Sequence, residues 1–182
     1  VIRLVGDLAE WHVEDVDGDV AVVKVGGGAV NAHIVRGLHG EGWVGAEFLA
    51  LVPGTFGGAV MMNAGTKHGE LADVLVAADV LVATEPESGP RRIGLDELGL
   101  TYRHSELERR DLVVGGRIRV RRGDVEDARA MVKRDWSHRD ETQPYRYASV
   151  GSTFANPDGD WAGRLIDEAG LKGRAHGGAR IS

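Results

Sequence analysis

Along the chain, short β-branched and apolar runs alternate with glycine-rich turns, and stretches of helical period interrupt them. Val1-Ile2-Arg3-Leu4-Val5 and Val20-Ala21-Val22-Val23-Lys24-Val25 are two such runs. The turn-forming cluster Asp15-Val16-Asp17-Gly18-Asp19 lies between them, so they are expected to pair as strands. After Gly26-Gly27-Gly28, the positions Val30, Ile34 and Leu38 recur at helical spacing, with Gly40 and Gly42 as the stop. Ala72 to Ala83 is long, β-branched and bounded by turn residues, which favours a strand. Leu95-Asp96-Glu97-Leu98 predicts one helical turn. Leu112-Val113-Val114 and Arg117-Ile118-Arg119-Val120-Arg121 predict a strand bent at Gly115-Gly116, with Ile118 and Val120 on one face and the arginines on a solvated other.

Asp124 is placed to cap a helix whose apolar face is Val125, Ala128, Met131 and Val132. Residues 139–150 lose apolar period and contain Pro144, which sets a domain boundary between 1–138 and 139–182. Asp160 is placed to cap a last helix, with Ala162, Leu165, Ile166 and Ala169 inward and Gly170 as its stop. Strands and helices mix without regular βαβ alternation, so the expected class is α+β.

Composition narrows the function. A length of 182 residues with 42% hydrophobic and 27% charged residues fits an ordinary globular protein. The formal net charge of −6 argues against a nucleic-acid partner, which needs a basic surface. No apolar run approaches the roughly 20 residues that span a bilayer. No cysteine is present for a disulfide framework or a thiolate metal site, and with no basic-then-apolar signal segment opening the chain the expected compartment is the cytoplasm. The histidines form no ligand-spaced pair on one helix face, so they read as scattered surface residues and no metal site is expected. Val1 opens the chain inside a predicted strand without an initiator Met, and a fragment of a longer protein is expected.

The 27 glycines follow no low-complexity period, so they must serve turns and close backbone approaches. Gly54, Gly57 and Gly58, in Pro53-Gly54-Thr55-Phe56-Gly57-Gly58, lead into an apolar segment. That arrangement suits a loop opening a short helix, where backbone N–H groups could meet a phosphate or a flat ring. An ordinary tight turn between packed segments has the same glycine spacing.

The surrounding string, from Gly45-Ala46-Glu47-Phe48 through Asn63-Ala64-Gly65-Thr66-Lys67-His68-Gly69-Glu70, resembles the flavin-binding signature of the UDP-N-acetylenolpyruvoylglucosamine reductase (MurB) family. Thr101-Tyr102-Arg103-His104-Ser105 is similar to its Tyr-Arg-x-Ser motif. Gly151-Ser152-Thr153-Phe154-Ala155-Asn156-Pro157 is similar to its Gly-Ser-x-Phe-x-Asn-Pro motif, and Ala162 to Gly173 to the segment after it.

The resemblance implies a mixed or antiparallel flavin-binding domain of the vanillyl-alcohol-oxidase-like type over 1–138, flanked by helices, and the start of a smaller α+β substrate domain over 139–182. It implies FAD as cofactor, NADPH as co-substrate and a UDP-sugar enolpyruvyl ether as substrate, reduced for peptidoglycan synthesis. Pro53, Gly54, Thr55, Gly57, Gly58, Asn63, Ala64 and Gly65 would approach FAD. Arg103 would hold the substrate carboxylate, Ser152 would donate a proton, and Tyr102 and Asn156 would contact substrate. The family's first glycine motif and its C-terminal glutamate have no counterpart in Val1–Ser182. A non-catalytic flavin or nucleotide-sugar binding module of the same fold is therefore the alternative.

Overall fold

A computed structural model describes residues 2–144 and 147–182. Its elements, in chain order, are β1 (Trp11–Asp17), β2 (Val20–Gly26), α1 (Asn31–Gly40), β3 (Trp43–Val44), α2 (Phe56–Met61), β4 (Gly65–Thr66), β5 (Gly69–Glu70), β6 (Leu75–Leu81), β7 (Arg91–Gly94), α3 (Leu95–Leu98), β8 (Leu112–Arg122), α4 (Val125–Thr142), α5 (Ala162–Glu168), β9 (Ala175–His176) and β10 (Ala179–Arg180). The class is α+β. The chain divides into two compact units, Val1–Asp135 and Trp136–Ser182, and the division falls within α4.

The first unit is built on an antiparallel sheet of order β1-β2-β8-β6-β7, with β3 beside β8. β8 is its axis. Val23 and Leu75 flank Ile118 from the two sides, and this register turns Val23, Ile118 and Val120 to the same buried layer. Ile34 and Leu38 of α1, Phe56 and Val60 of α2, and Phe48, Leu49 and Leu51 of the 3₁₀ turn Glu47–Leu51 are also buried in that core.

Three sequence expectations shift. Residues 2–5 are not a strand, and Val1 lies outside the described residues; the partner of β2 is Trp11–Asp17. His12, Glu14, Asp15 and Asp17 hide that strand from an apolar pattern, yet charged residues suit an edge strand because they discourage further pairing. The turn shrinks to Gly18-Asp19. A second edge strand, β7, went unpredicted for the same reason, carrying Arg91 and Arg92. The two predicted runs form one continuous strand, β8, in which Gly115 and Gly116 pair with Gly26 and Val25 on one side and with Asp79 and Ala78 on the other. The expected irregularity falls at Gly115, where the register against β6 shifts between the Asp79–Gly115 and Val80–Val113 pairs.

The arginine row is only partly solvated. Arg119 and Arg121 are exposed, but Arg117 lies between two carboxylates, 2.6 Å from Glu14 and 2.9 Å from Asp79. The hydrogen bond from Arg117 holds the Glu14 carboxyl below its ordinary 4.5. A depressed carboxylate contributes stability above its unfolded pKa and loses it as pH falls through the folded value. Glu14→Gln is therefore expected to cost about 0.5–1 kcal/mol at neutral pH, as a partly exposed pair does. In denaturant melts below the ordinary value of 4.5 the difference from the parent should shrink; a difference constant with pH would contradict this.

Asp124 caps α4 as expected, its Oδ1 accepting from the N–H groups of Glu126 and Asp127 at 2.9 and 3.0 Å. No described residue of α4 is fully buried, and of its predicted apolar face Val132 packs against the core.

In the second unit, Tyr145 and Arg146 of the predicted boundary stretch lie outside the described residues. Ala162's N–H is capped by Asn156 Oδ1 at 3.1 Å, not by Asp160, which binds the Trp161 N–H and the Arg164 guanidinium. Gly170 takes φ +66° just past α5, as a helix stop does. Of the predicted inward face only Ala162 and Ile166 are partly covered, while Leu165 and Ala169 are exposed. Among the described residues no helix is long and apolar enough to cross a membrane.

Candidate functional site

The glycine loop is shaped from beneath by α1. Asn31 donates its backbone N–H to Gly54 O and its Nδ2 to Val52 O, both at 3.2 Å, and Val30 bridges to Thr55. Gly54 sits at φ +114°, a conformation that side chains strain to adopt. Pro53, Gly54, Thr55 and Gly58 form an exposed rim.

The start of α2 departs from the expectation. The Phe56 and Gly57 N–H groups donate to Ala29 O and Gly27 O, at 2.9 and 2.8 Å, so the turn after β2 already occupies them. Gly57 is buried, and a Cβ there would meet Val113 O at 2.9 Å and Gly27 O at 3.0 Å. It lets two backbones touch. Gly58 faces the other way, with nothing nearer to a Cβ than Thr55 Oγ1 at 4.0 Å. The open glycine and the packing glycine are neighbours with different tasks.

Beyond α2 the chain meets the Tyr102-Arg103 turn. Asn63 Nδ2 donates to Thr101 O at 3.1 Å, Ser105 Oγ donates to Met61 O at 2.8 Å, and Arg103 Nη2 donates to Gly65 O at 3.0 Å. Among the described residues Asn63 (φ +39°) and Arg103 (φ +57°) are the non-glycine residues with positive φ. Tyr102 is half-exposed, and the Arg103 guanidinium lies 5.2 Å from its ring centroid, within cation–π range. The structure thus brings Asn63, Gly65, Tyr102 and Arg103 together.

Ser152 and Asn156 belong to the second unit. Ser152 is exposed in an irregular segment just after Gly151, whose N–H binds Ser149 Oγ at 3.1 Å. Asn156 uses its Oδ1 to cap α5, as described above.

The histidines are not all surface residues. His39 is buried, with Nε2 3.2 Å from Glu47 Oε1, and the Glu47 carboxylate also accepts from Gly45 N–H. His68 lies 2.6 Å from Asp135, which Lys67 also meets at 3.0 Å. Burial opposes ionisation of Asp135, but the hydrogen bonds from Lys67 and His68 outweigh it and hold the carboxyl below the usual aspartate range. Sequence reasoning gave no role to Asn31, Ser105 or Asp135. Their partners lie 21, 44 and 67 residues away, and no local pattern marks such pairs.

Comparison with known proteins places these observations. Residues 2–85 match the model of an FAD binding domain, and residues 143–182 match that of the UDP-N-acetylenolpyruvoylglucosamine reductase C-terminal domain. The UDP-N-acetylenolpyruvoylglucosamine reductase of Myxococcus xanthus is 41% identical over 181 residues, covering 100% of this chain and 57% of the relative. That of Acidiphilium cryptum is 41% identical over 182 residues, covering 100% of this chain and 56% of the relative. The chain thus spans little more than half the length of these relatives. The crystal structure of UDP-N-acetylenolpyruvylglucosamine reductase (MurB) from Thermus caldophilus superposes with a TM-score of 0.83 at 34% identity, covering 99% of this chain and 62% of that one. Likeness of this order along the whole chain, in sequence and in fold, means that the chain belongs to the UDP-N-acetylenolpyruvoylglucosamine reductase family.

Proposed function

We propose that the chain binds FAD and, with NADPH as reductant, takes part in reducing the enolpyruvyl ether of UDP-N-acetylglucosamine to UDP-N-acetylmuramate, a cytoplasmic step of peptidoglycan synthesis. In this reading residues 1–138 are the FAD-binding domain and 139–182 begin the substrate-binding domain. The observation that carries it is the stitching of the Tyr102-Arg103 turn to the Asn63–Gly65 stretch through Arg103 and Gly65 O. That contact joins a permanently charged guanidinium to the stretch that the resemblance assigns to the flavin.

The residues present fit such a cofactor. Pro53, Gly54, Thr55 and Gly58 offer an open rim with no side chain crowding Gly54 or Gly58. Asn31 Oδ1, buried under this loop, has no hydrogen-bond partner and offers an acceptor there. Ala64 and Gly65 would contribute backbone, while Gly57 would act only by packing. When bound, FAD supplies hydride, taken from NADPH, to the terminal enol carbon.

Arg103 would then hold the substrate carboxylate as negative charge grows on it. Ser152 would deliver the proton to the neighbouring carbon, Tyr102 would pack against the substrate, and Asn156 would donate through Nδ2, the end of its amide not used in capping α5. Titration of the purified chain with FAD, followed by flavin fluorescence, tests this. Saturable quenching that a bulky residue at Gly58 weakens at least tenfold supports it. A folded sample that does not saturate would overturn it.

A further inference from the structure

We infer that Asn63 is a positioning residue that sets the Tyr102-Arg103 turn, rather than a group that touches the flavin. The inference rests on the reading that Arg103 grips the substrate carboxylate. Asn63 is 0% exposed and, unlike the similarly buried Asn31, has no amide atom left without a partner. Both ends of its amide are used within the chain: Oδ1 accepts from the Ala72 N–H at 3.0 Å, and Nδ2 donates to Thr101 O at 3.1 Å. Thr101 O also accepts from the His104 N–H at 3.1 Å, and His104 O accepts from Thr101 N–H at the same distance. These paired bonds close the turn that carries Tyr102 and Arg103. Asn63 holds one end of it, and Ser105, 5% exposed, holds the other through Met61 O.

The residue type follows from the backbone. At φ +39° asparagine is among the few side chains that tolerate the left-handed region, and its short amide supplies a donor and an acceptor at once. Aspartate would keep the tolerance and the acceptor for Ala72 but lose the donor to Thr101 O. Alanine would lose both bonds and add strain. The informative variant is therefore Asn63→Asp, with Ser105→Ala as a second that loosens the same turn from its other end.

Amide hydrogen exchange on the 182-residue chain reads the turn without any need for turnover. Thr101 and His104 amides should exchange about tenfold faster in Asn63→Asp and in Ser105→Ala, the scale of one lost hydrogen bond, while Ile118 of β8 stays protected. In turnover, Asn63→Asp should lower kcat at least tenfold with FAD affinity within twofold, and adding Arg103→Lys should cost less than it does in the parent. Unchanged exchange at Thr101 and His104 in a protein with protected β8 amides overturns the inference. So does a loss of FAD affinity with the turn still protected. Faster exchange accompanied by an Arg103→Lys variant of normal turnover upholds the clamp and overturns the assigned role of Arg103 instead.

Discussion

Alanine at Gly57 is expected to destabilise the folded chain by about 1–3 kcal/mol, the usual cost of forcing extra volume into a packed site. Alanine at Gly58, one residue on, is expected to stabilise it by up to about 1 kcal/mol. Both positions lie in α2, so both gain the same helix propensity on acquiring a Cβ. Only at Gly57 does that Cβ strike backbone oxygens, Val113 O at 2.9 Å and Gly27 O at 3.0 Å, which cannot rotate aside as a flexible side chain would. Valine at Gly57 should cost more still. Flavin affinity should separate the two in the opposite sense: a bulky residue at Gly58 weakens binding in a protein that stays folded, while Gly57 acts on binding only through loss of fold. Denaturant melts and an FAD titration on each variant check this. Equal destabilisation by both alanines would mean that α2 does not pack against the glycine turn as described.

The same pair shows what was legible in the sequence. The motif around Gly54 to Gly65 stood out because its residues are contiguous, and the long apolar strands and α1 followed from period alone. What the sequence hid depends on distance. Nothing near Gly57 says that Gly27 and Val113 will lie against it, so three glycines that look alike in the string divide into a turn, a packing contact and an open surface. Edge strands β1 and β7 escaped because an edge carries charge, and charge mimics a loop. Asp160 looked like the cap of α5 because it stands next to it, yet Asn156 reaches the Ala162 N–H from six residues away. Asn63 was legible as part of a motif, but its burial and its bond to Thr101, 38 residues on, were not. Local chemistry gave the elements, and long-range closure decided which side chains remain for a ligand.

If Arg103 holds the substrate carboxylate as proposed, Arg103→Lys is expected to lower kcat for the enolpyruvyl substrate by about 10²-fold, and Arg103→Ala by about 10² to 10³-fold, as loss of a preorganised electrostatic partner does. Lysine keeps the charge but not the planar fork that fits a carboxylate. Because that carboxylate exists before reduction and gains charge during it, KM should rise as kcat falls. Stability should move little. Arg103 stands at φ +57°, a conformation costing on the order of 1 kcal/mol outside glycine. Its guanidinium makes an exposed hydrogen bond to Gly65 O, worth about as much. The exposed cation–π contact with Tyr102 is also lost, so Arg103→Gly should leave the melting midpoint close to the parent's, while lowering kcat as far as Arg103→Ala does and weakening binding of the enolpyruvyl substrate in calorimetry. A glycine variant that melts well below the parent would make Arg103 a structural residue of the turn. A stable glycine variant with kcat lowered that far would mean that the backbone holds an arginine where folding alone does not require one, because the site needs its fork of N–H donors.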